Sequence, residues 1–232
     1  MTRENSNISE NIDAIRTRIL TAAAKSGRDP QSIKIIGVSK AVDVERIKEA
    51  YNCGITDFGE NRVQELCEKY DIVNMECNWH LIGHLQTNKV KYILDKVSLI
   101  HSLDTIELAA EIHKRAQKDD RQIDALVQVN VAAEDTKFGI SPDEAADFIK
   151  EVSGMGNIRI KGLMTIAPMV PNPAEIRWVF AKLRKLLIDI KQENIDNVNM
   201  DYLSMGMSND FEIAIEEGSN MVRIGTSLFG KR

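Results

Sequence analysis

Over residues 11–25 the apolar positions Ile12, Ile15, Ile19, Leu20 and Ala23 recur at the spacing of one helical face, and Gly27 supplies a stop. This pattern predicts a leading amphipathic helix. Residues 33–38 then form a short β-branched run closed by Ser39 and Lys40, and Val44, Ile47, Ala50 and Tyr51 return to helical spacing before Gly54. The same grammar repeats. A strand over 55–58 precedes a helix carrying Val63, Leu66 and Tyr70, and a strand over 79–82 precedes one carrying Val90, Ile93, Leu94 and Val97. After a strand over 99–103, Asp104 and Glu107 have the spacing of a capping box ahead of Leu108 and Ile112. Residues 125–131 read as the next strand, and Ser141, Pro142 and Glu144 combine an N-cap, an early helical proline and a box glutamate before Phe148, Ile149 and Val152. The remaining elements are a strand over 158–166, a helix over 173–192, a strand over 201–205, a helix over 208–217 and a strand over 221–224.

Strands that alternate with helices imply a parallel sheet with right-handed crossovers, and eight such units are the number that closes a barrel. The expected class is therefore α/β: a single (βα)8 barrel domain over residues 1–232 with an additional N-terminal helix. An open doubly wound sheet is the alternative, but no G-x-G-x-x-G follows the first strand.

Composition narrows the function classes. The chain has 232 residues, 43% hydrophobic and 28% charged, enough to bury a core and stay in solution. A net charge of −5 offers no broad basic face for a phosphate backbone, so nucleic acid is not an expected partner. Residues 1–11 are polar and no run of about 18 apolar residues occurs, so the expectation is a cytoplasmic chain with neither export signal nor membrane span. Three cysteines, none in a C-x-x-C, read as reduced packing thiols, and with four histidines they show no metal-ligand spacing. Asn7-Ile8-Ser9 matches a glycosylation acceptor, which such a chain does not use. Residues 225–231 spell G-x-x-x-x-G-K but lack the following hydroxyl residue and helix of a P-loop.

In a barrel, ligands sit at the C-terminal ends of the strands, and there Lys40 follows a run expected to be buried on both faces. A lysine short of water loses its proton more readily, and a neutral amine attacks an aldehyde to form a Schiff base. At the other end of the chain, Ser204, Met205, Gly206, Met207 and Ser208 join strand seven to a helix for which Ser208 is the expected N-cap. Arg223 stands at the end of strand eight and Gly225 and Thr226 follow it, adding a glycine for close backbone approach and a hydroxyl donor, and the loops after strands seven and eight are the recurring phosphate site of such barrels. Asp210, in the first turn of that helix, opposes an anion unless its carboxylate turns away. A ligand that is both aldehyde and phosphate suits the pair, and pyridoxal 5′-phosphate is one. A Schiff-base aldolase acting through Lys161 is an alternative from the same ingredients.

The blocks 35–40 (IIGVSK), 58–65 (FGENRVQE), 79–89 (WHLIGHLQTNK), 161–164 (KGLM), 203–208 (LSMGMS) and 222–226 (VRIGT) together resemble the pyridoxal phosphate homeostasis protein family, whose fold is like the N-terminal barrel of alanine racemase. The resemblance implies that Lys40 carries the cofactor covalently, that Ser204, Gly225 and Thr226 lie near its phosphate, and that Arg223 approaches the pyridine nitrogen. Asn61, Met205 and Met207 are then expected along the ring, while His80 and His84 receive no assigned role. No catalytic residue is expected. Racemases of this fold add a β domain and a partner chain's tyrosine, whereas this chain ends soon after strand eight. The implied function is to hold pyridoxal phosphate reversibly and maintain its level, with apoenzymes as acceptors and a monomeric state. A racemase-like enzyme, and an interaction protein whose cofactor is only structural, are the other readings.

Overall fold

Short β-branched runs buried on both faces need cover from both sides, which a parallel sheet wrapped in helices provides. The computed structural model describes residues 7–134 and 137–230. Among them the strands are β1 (Lys34–Val38), β2 (Asp57–Glu60), β3 (Asn78–Leu81), β4 (Leu99–Leu103), β5 (Ile123–Gln128), β6 (Ile158–Met164), β7 (Val198–Met207) and β8 (Met221–Ile224). They form a closed barrel in chain order, sealed where β8 pairs parallel to β1 through Lys34 with Met221 and Gly37 with Ile224. The expected (βα)8 barrel is the observed fold. The last two residues, including the lysine of the rejected G-x-x-x-x-G-K pattern, lie outside the described residues.

The helices are α1 (Ile8–Lys25), α2 (Val44–Asn52), α3 (Val63–Val73), α4 (Ile106–Lys118), α5 (Ala145–Ser153), α6 (Arg177–Gln192), α7 (Phe211–Glu216) and α8 (Thr226–Phe229). The added N-terminal helix begins earlier than its apolar period suggested, because Asn7 caps it by accepting from the backbone N–H of Ser9 at 3.0 Å and Glu10 at 3.3 Å. That cap also gives the glycosylation-like asparagine a structural role. Helix α1 packs Ile8, Ile12, Ile15 and Ile19 with Phe211 and Ile215 of α7 and with Leu228 and Phe229 of α8, an element the periodicity did not reveal.

Other boundaries moved for local reasons. The helix expected after β3 is a 3-10 segment, Thr87–Tyr92, because Asn88, Val90 and Tyr92 are poor helix formers; Val90, Ile93 and Leu94 are buried all the same. Thr105, rather than Asp104, caps α4, accepting from Leu108 N–H at 3.2 Å. The box ahead of α5 does form: Glu144 N–H donates to Ser141 Oγ and Ser141 N–H returns to Glu144 Oε2, each at 3.3 Å, although regular helix starts only at Ala145. Residues Pro173–Ile176 are a 3-10 turn leading into α6.

The barrel interior is divided by height. Ile36, Leu99, Leu126, Met164 and Met221 make an apolar plug with half-buried Tyr202. Above Leu99 on β4 comes His101, fully buried, and above Met221 on β8 comes Arg223, 4% exposed. Two large apolar clusters fill the space between barrel and helices.

Candidate functional site

A cavity of about 520 Å³ opens at the C-terminal ends of the strands. Its wall includes Lys40 beyond β1, Ala167 to Val170 beyond β6, Met207 to Asp210 at the end of β7, Arg223 on β8, and Gly225 and Thr226 just beyond it. The tight succession of strand, turn and helix brings these distant residues together. Lys40 also borders a hollow of about 300 Å³ with Asn61, Arg62 and Glu65, so Asn61 neighbours it outside the mouth cavity. Larger hollows exist at the opposite face, about 650 Å³ beside Lys34 and Asp57, and at the outer side of the helices, about 740 Å³ beside Lys91 and Lys118. Neither includes Lys40 or a residue of the β7 and β8 loops that border the mouth.

Lys40 is exposed, which corrects the expectation of an amine desolvated by the strand. Strand β1 stops at Val38, Ser39 N–H makes a bond to Gly59 O at 3.1 Å, and the chain then turns through Ala41 at φ 55°. Beneath the turn lies a buried polar cluster. Lys69 of α3 donates to Ser39 O at 2.6 Å, to Glu60 Oε1 at 2.7 Å and to Glu65 Oε1 at 2.7 Å. Ser39 Oγ donates to the same Glu60 oxygen at 2.7 Å, and Glu65 Oε1 also accepts from Ala41 N–H at 2.5 Å. Burial pushes the Glu60 carboxyl up, with Lys69 and Ser39 pulling against it. Both residues flanking Lys40 are thereby tied to one cation. Lys69 was not legible as part of the site, since a lysine four residues after Glu65 reads as an ordinary helix pair.

Arg223 forms the floor on the β8 side. Its guanidinium donates to Ser204 Oγ at 2.6 Å and to Thr165 O at 2.8 Å. Burial lowers its pKa to about 10, with Asp210 opposing, so it remains a cation at neutral pH. Asp210 meets the sequence-level objection, because Oδ1 accepts from Met207 N–H at 2.5 Å within its own loop. Burial pushes this carboxyl up, and the Met207 N–H and Arg223 pull it back.

Three expected contacts move. Ser204 is fully buried behind Arg223, its Oγ taken by that guanidinium and by His101, and it does not line the cavity. Met205 faces outward into the core shared with Ala214, because alternate strand residues point to opposite sides. Gly206, at φ +94°, lies where a Cβ would come 2.6 Å from Ala214 Cβ, so it seats α7 rather than a ligand. Ser208 lines the cavity but caps no helix: its Oγ accepts from Ser227 N–H at 3.1 Å, stitching the β7 and β8 loops together, and α7 begins only at Phe211.

His80 and His101 are joined inside the barrel, Nδ1 to Nε2, at 3.0 Å, a pairing that sequence reading missed. The available signal was a histidine at the centre of the apolar run 99–103. His84 stacks on Phe138 with ring centroids 3.9 Å apart. Lys161 pairs with Asp201 at 2.8 Å and is not among the residues of the mouth cavity. Among the described residues no cluster of His, Cys, Asp or Glu is arranged to hold a metal, and no helix is long and apolar enough to cross a membrane.

Comparison with known proteins gives this geometry its relatives. The family model for the alanine racemase N-terminal domain matches residues 10–232. A pyridoxal phosphate homeostasis protein of Aquifex aeolicus is 47% identical over 227 residues, covering 97% of this chain and 99% of the relative. The chain belongs to that family. Another family member, from Pseudomonas aeruginosa, is 38% identical over 98% of this chain and 96% of its own length. The structure of PipY from Synechococcus elongatus with pyridoxal phosphate bound superposes with a TM-score of 0.83 at 32% identity, covering 96% of this chain and all of that one (100%). An alanine racemase of Clostridium difficile shares the fold alone, with a TM-score of 0.77 at 18% identity; 97% of this chain matches 57% of that one.

Proposed function

We propose that this family member, acting as a single barrel domain, binds pyridoxal 5′-phosphate in the mouth cavity and holds it as a Schiff base on Lys40, maintaining its supply rather than turning over substrate. The observation that carries this reading is one cavity bordered by Lys40, Arg223 and the Ser208, Gly225 and Thr226 loops. The names of its relatives and the bound cofactor of PipY support it.

The residues fit the group. A cavity of about 520 Å³ lies within the range of about 300 to 1,000 Å³ usual for cofactor sites. When bound, the cofactor supplies an aldehyde for an amine and a phosphate for the loop hydroxyls and backbone. The Lys40 amine adds to the aldehyde carbon and water leaves as the C=N bond forms; hydrolysis reverses this, so an exposed lysine suits release as well as capture. Asn61 shares the neighbouring hollow with Lys40, and Met207 with Ala167 to Val170 gives a ring an apolar wall. Arg223, a cation at neutral pH, donates a hydrogen bond without giving up a proton, which leaves a ring nitrogen unprotonated and a poor electron sink.

A tyrosine of the kind racemases use as second base has no candidate at the mouth: among the described residues Tyr51 and Tyr70 are on helices, Tyr92 ends the 3-10 segment, and Tyr202 packs against the apolar plug. The proposed role includes action as a monomer that passes cofactor to apoenzymes in the cytoplasm.

The test is the absorption spectrum on adding pyridoxal phosphate to wild type and Lys40→Ala. A band near roughly 420 nm in wild type alone supports the assignment. No band, or the same band in both, overturns it, and robust amino-acid racemisation by the purified chain would overturn the storage role.

A further inference from the structure

A file of hydrogen bonds runs up the barrel interior from one end to the other. At its base Asp57 Oδ1 accepts from Lys34 Nζ at 3.0 Å and Asn78 Nδ2 at 3.3 Å, while Oδ2 accepts from Thr56 Oγ1 at 2.9 Å. The same Oδ1 lies 3.0 Å from His80 Nε2, His80 Nδ1 lies 3.0 Å from His101 Nε2, and His101 Nδ1 lies 3.0 Å from Ser204 Oγ. Ser204 Oγ then accepts from Arg223 at 2.6 Å. Both histidines are 2% exposed or less and Ser204 is fully buried, so water does not compete for these bonds.

The file has one self-consistent direction. Burial opposes ionisation of Asp57, but the hydrogen bonds from His80 and Lys34 outweigh it and hold the carboxyl at about 2, so it only accepts. His80 Nε2 must therefore donate to it. Burial lowers the pKa of His80, with Asp57 opposing, and lowers that of His101 further, so both rings are neutral and each carries one proton. With His80 Nε2 protonated, His80 Nδ1 accepts from His101 Nε2–H, and His101 Nδ1 accepts the Ser204 hydroxyl proton. The Ser204 oxygen is left with its lone pairs, the arrangement a guanidinium donor requires. A reversed file would point a bare imidazole nitrogen at a carboxylate.

From this geometry we infer that Asp57, His80, His101 and Ser204 are positioning residues that orient the Arg223 guanidinium toward the mouth cavity, with Asp57 at the far end of the barrel setting the direction of the file. The inference rests on the cofactor reading above and extends it: the group governing the cofactor ring is steered from the opposite face. Thr165 O holds the other terminal nitrogen of Arg223 at 2.8 Å, so orientation takes two anchors and the file supplies one.

The test titrates pyridoxal phosphate into wild type, Asp57→Asn, His101→Ala and His101→Gln, reading affinity and the absorption maximum of the bound cofactor. Loss of a buried hydrogen bond in His101→Ala, and in Asp57→Asn replacement of the acceptor-only carboxylate by an amide that no longer fixes the direction of the file, is expected to weaken binding about tenfold and to shift the band. His101→Gln keeps an acceptor for Ser204 and a donor for His80 and stays within about twofold of wild type. Nitrogen NMR of the wild-type imidazoles provides a second readout that needs no variant to fold: His80 and His101 should both carry the proton on Nε2. Unchanged affinity and band in the Asn and Ala variants, or a protonated His101 Nδ1, would overturn the inference. A wild type that gives no cofactor band defeats the cofactor reading itself and this extension with it; a normal wild type with unaltered variants defeats the extension alone.

Discussion

Lys69 Nζ sits 2.7 Å from Glu60 Oε1 directly beneath the turn that carries Lys40, and the same ammonium reaches Ser39 O at 2.6 Å. Lys69 is 7% exposed and Glu60 fully buried, so neither charge is screened by water. The position of the exposed lysine at the mouth is thereby set by a buried ion pair on the strand and helix that follow it.

Lys69→Met is expected to lower the unfolding free energy by about 3 kcal/mol or more, because it strands the Glu60 carboxylate in the interior. Adding Glu60→Gln should restore part of that loss. Urea denaturation of the single and double variants measures both; a single-variant loss under about 1 kcal/mol would show that the cluster is not structural.

Gly206→Ala should destabilise by about 2 kcal/mol or more, since its φ of +94° disfavours a side chain and the new Cβ would meet Ala214 Cβ at 2.6 Å. The strain falls on the seat of α7, next to the loop carrying Ser208. A shift in the thermal midpoint together with weaker cofactor binding is the expected result, and neutral behaviour would contradict the packing.

Asn7→Ala removes the cap of α1 and is expected to cost about 1 kcal/mol, whereas Asn7→Asp should be close to neutral. Equilibrium denaturation distinguishes the two. Equal losses in both would mean that the amide itself, through its contact with Glu10 at 2.8 Å, matters more than the cap.

Stability should decline on acidification in two stages. His101 has a folded pKa well below its ordinary 6.5, so as pH falls through 6.5 the unfolded chain binds a proton that the folded chain refuses, at most about 1.4 kcal/mol per pH unit for each such histidine. Asp57 is held at about 2 against an ordinary 3.8, so the stability it contributes, about 2 kcal/mol, is complete above 3.8 and disappears as pH falls from there towards 2. Denaturation midpoints against pH should show a shallower upper limb in His101→Gln and a shallower lower limb in Asp57→Asn. Parallel curves would sink the assignment.

The barrel could be read from the chain because period-2 and period-3.6 patterning are local, and each strand run was bounded by its own polar or glycine stop. The capping box at Ser141 and Glu144 could be read for the same reason. The caps of α4 and α7 could not, since Asp104, Thr105, Ser208 and Asp210 are all competent cap residues in sequence and only the path of the loop selects between them. Lys40, Arg223, Gly225 and Thr226 were legible as mouth residues because each sits at or just past a strand end, where a barrel places its ligands.

By itself the sequence determined which segments are strands and helices, that they alternate, and that a lysine after the first strand and a hydroxyl-rich pair of loops after the last two share one rim. Only the tertiary structure decided that Lys40 is exposed, that Met205 and Gly206 serve α7, and that Ser204 stands behind Arg223 at the head of the Asp57–His80–His101 file. The reason is physical. Patterning reports the face a residue turns to, whereas hydrogen bonds among β2, β3, β4, β7 and β8 depend on the height at which each side chain enters the barrel, and closure of the sheet alone sets that height.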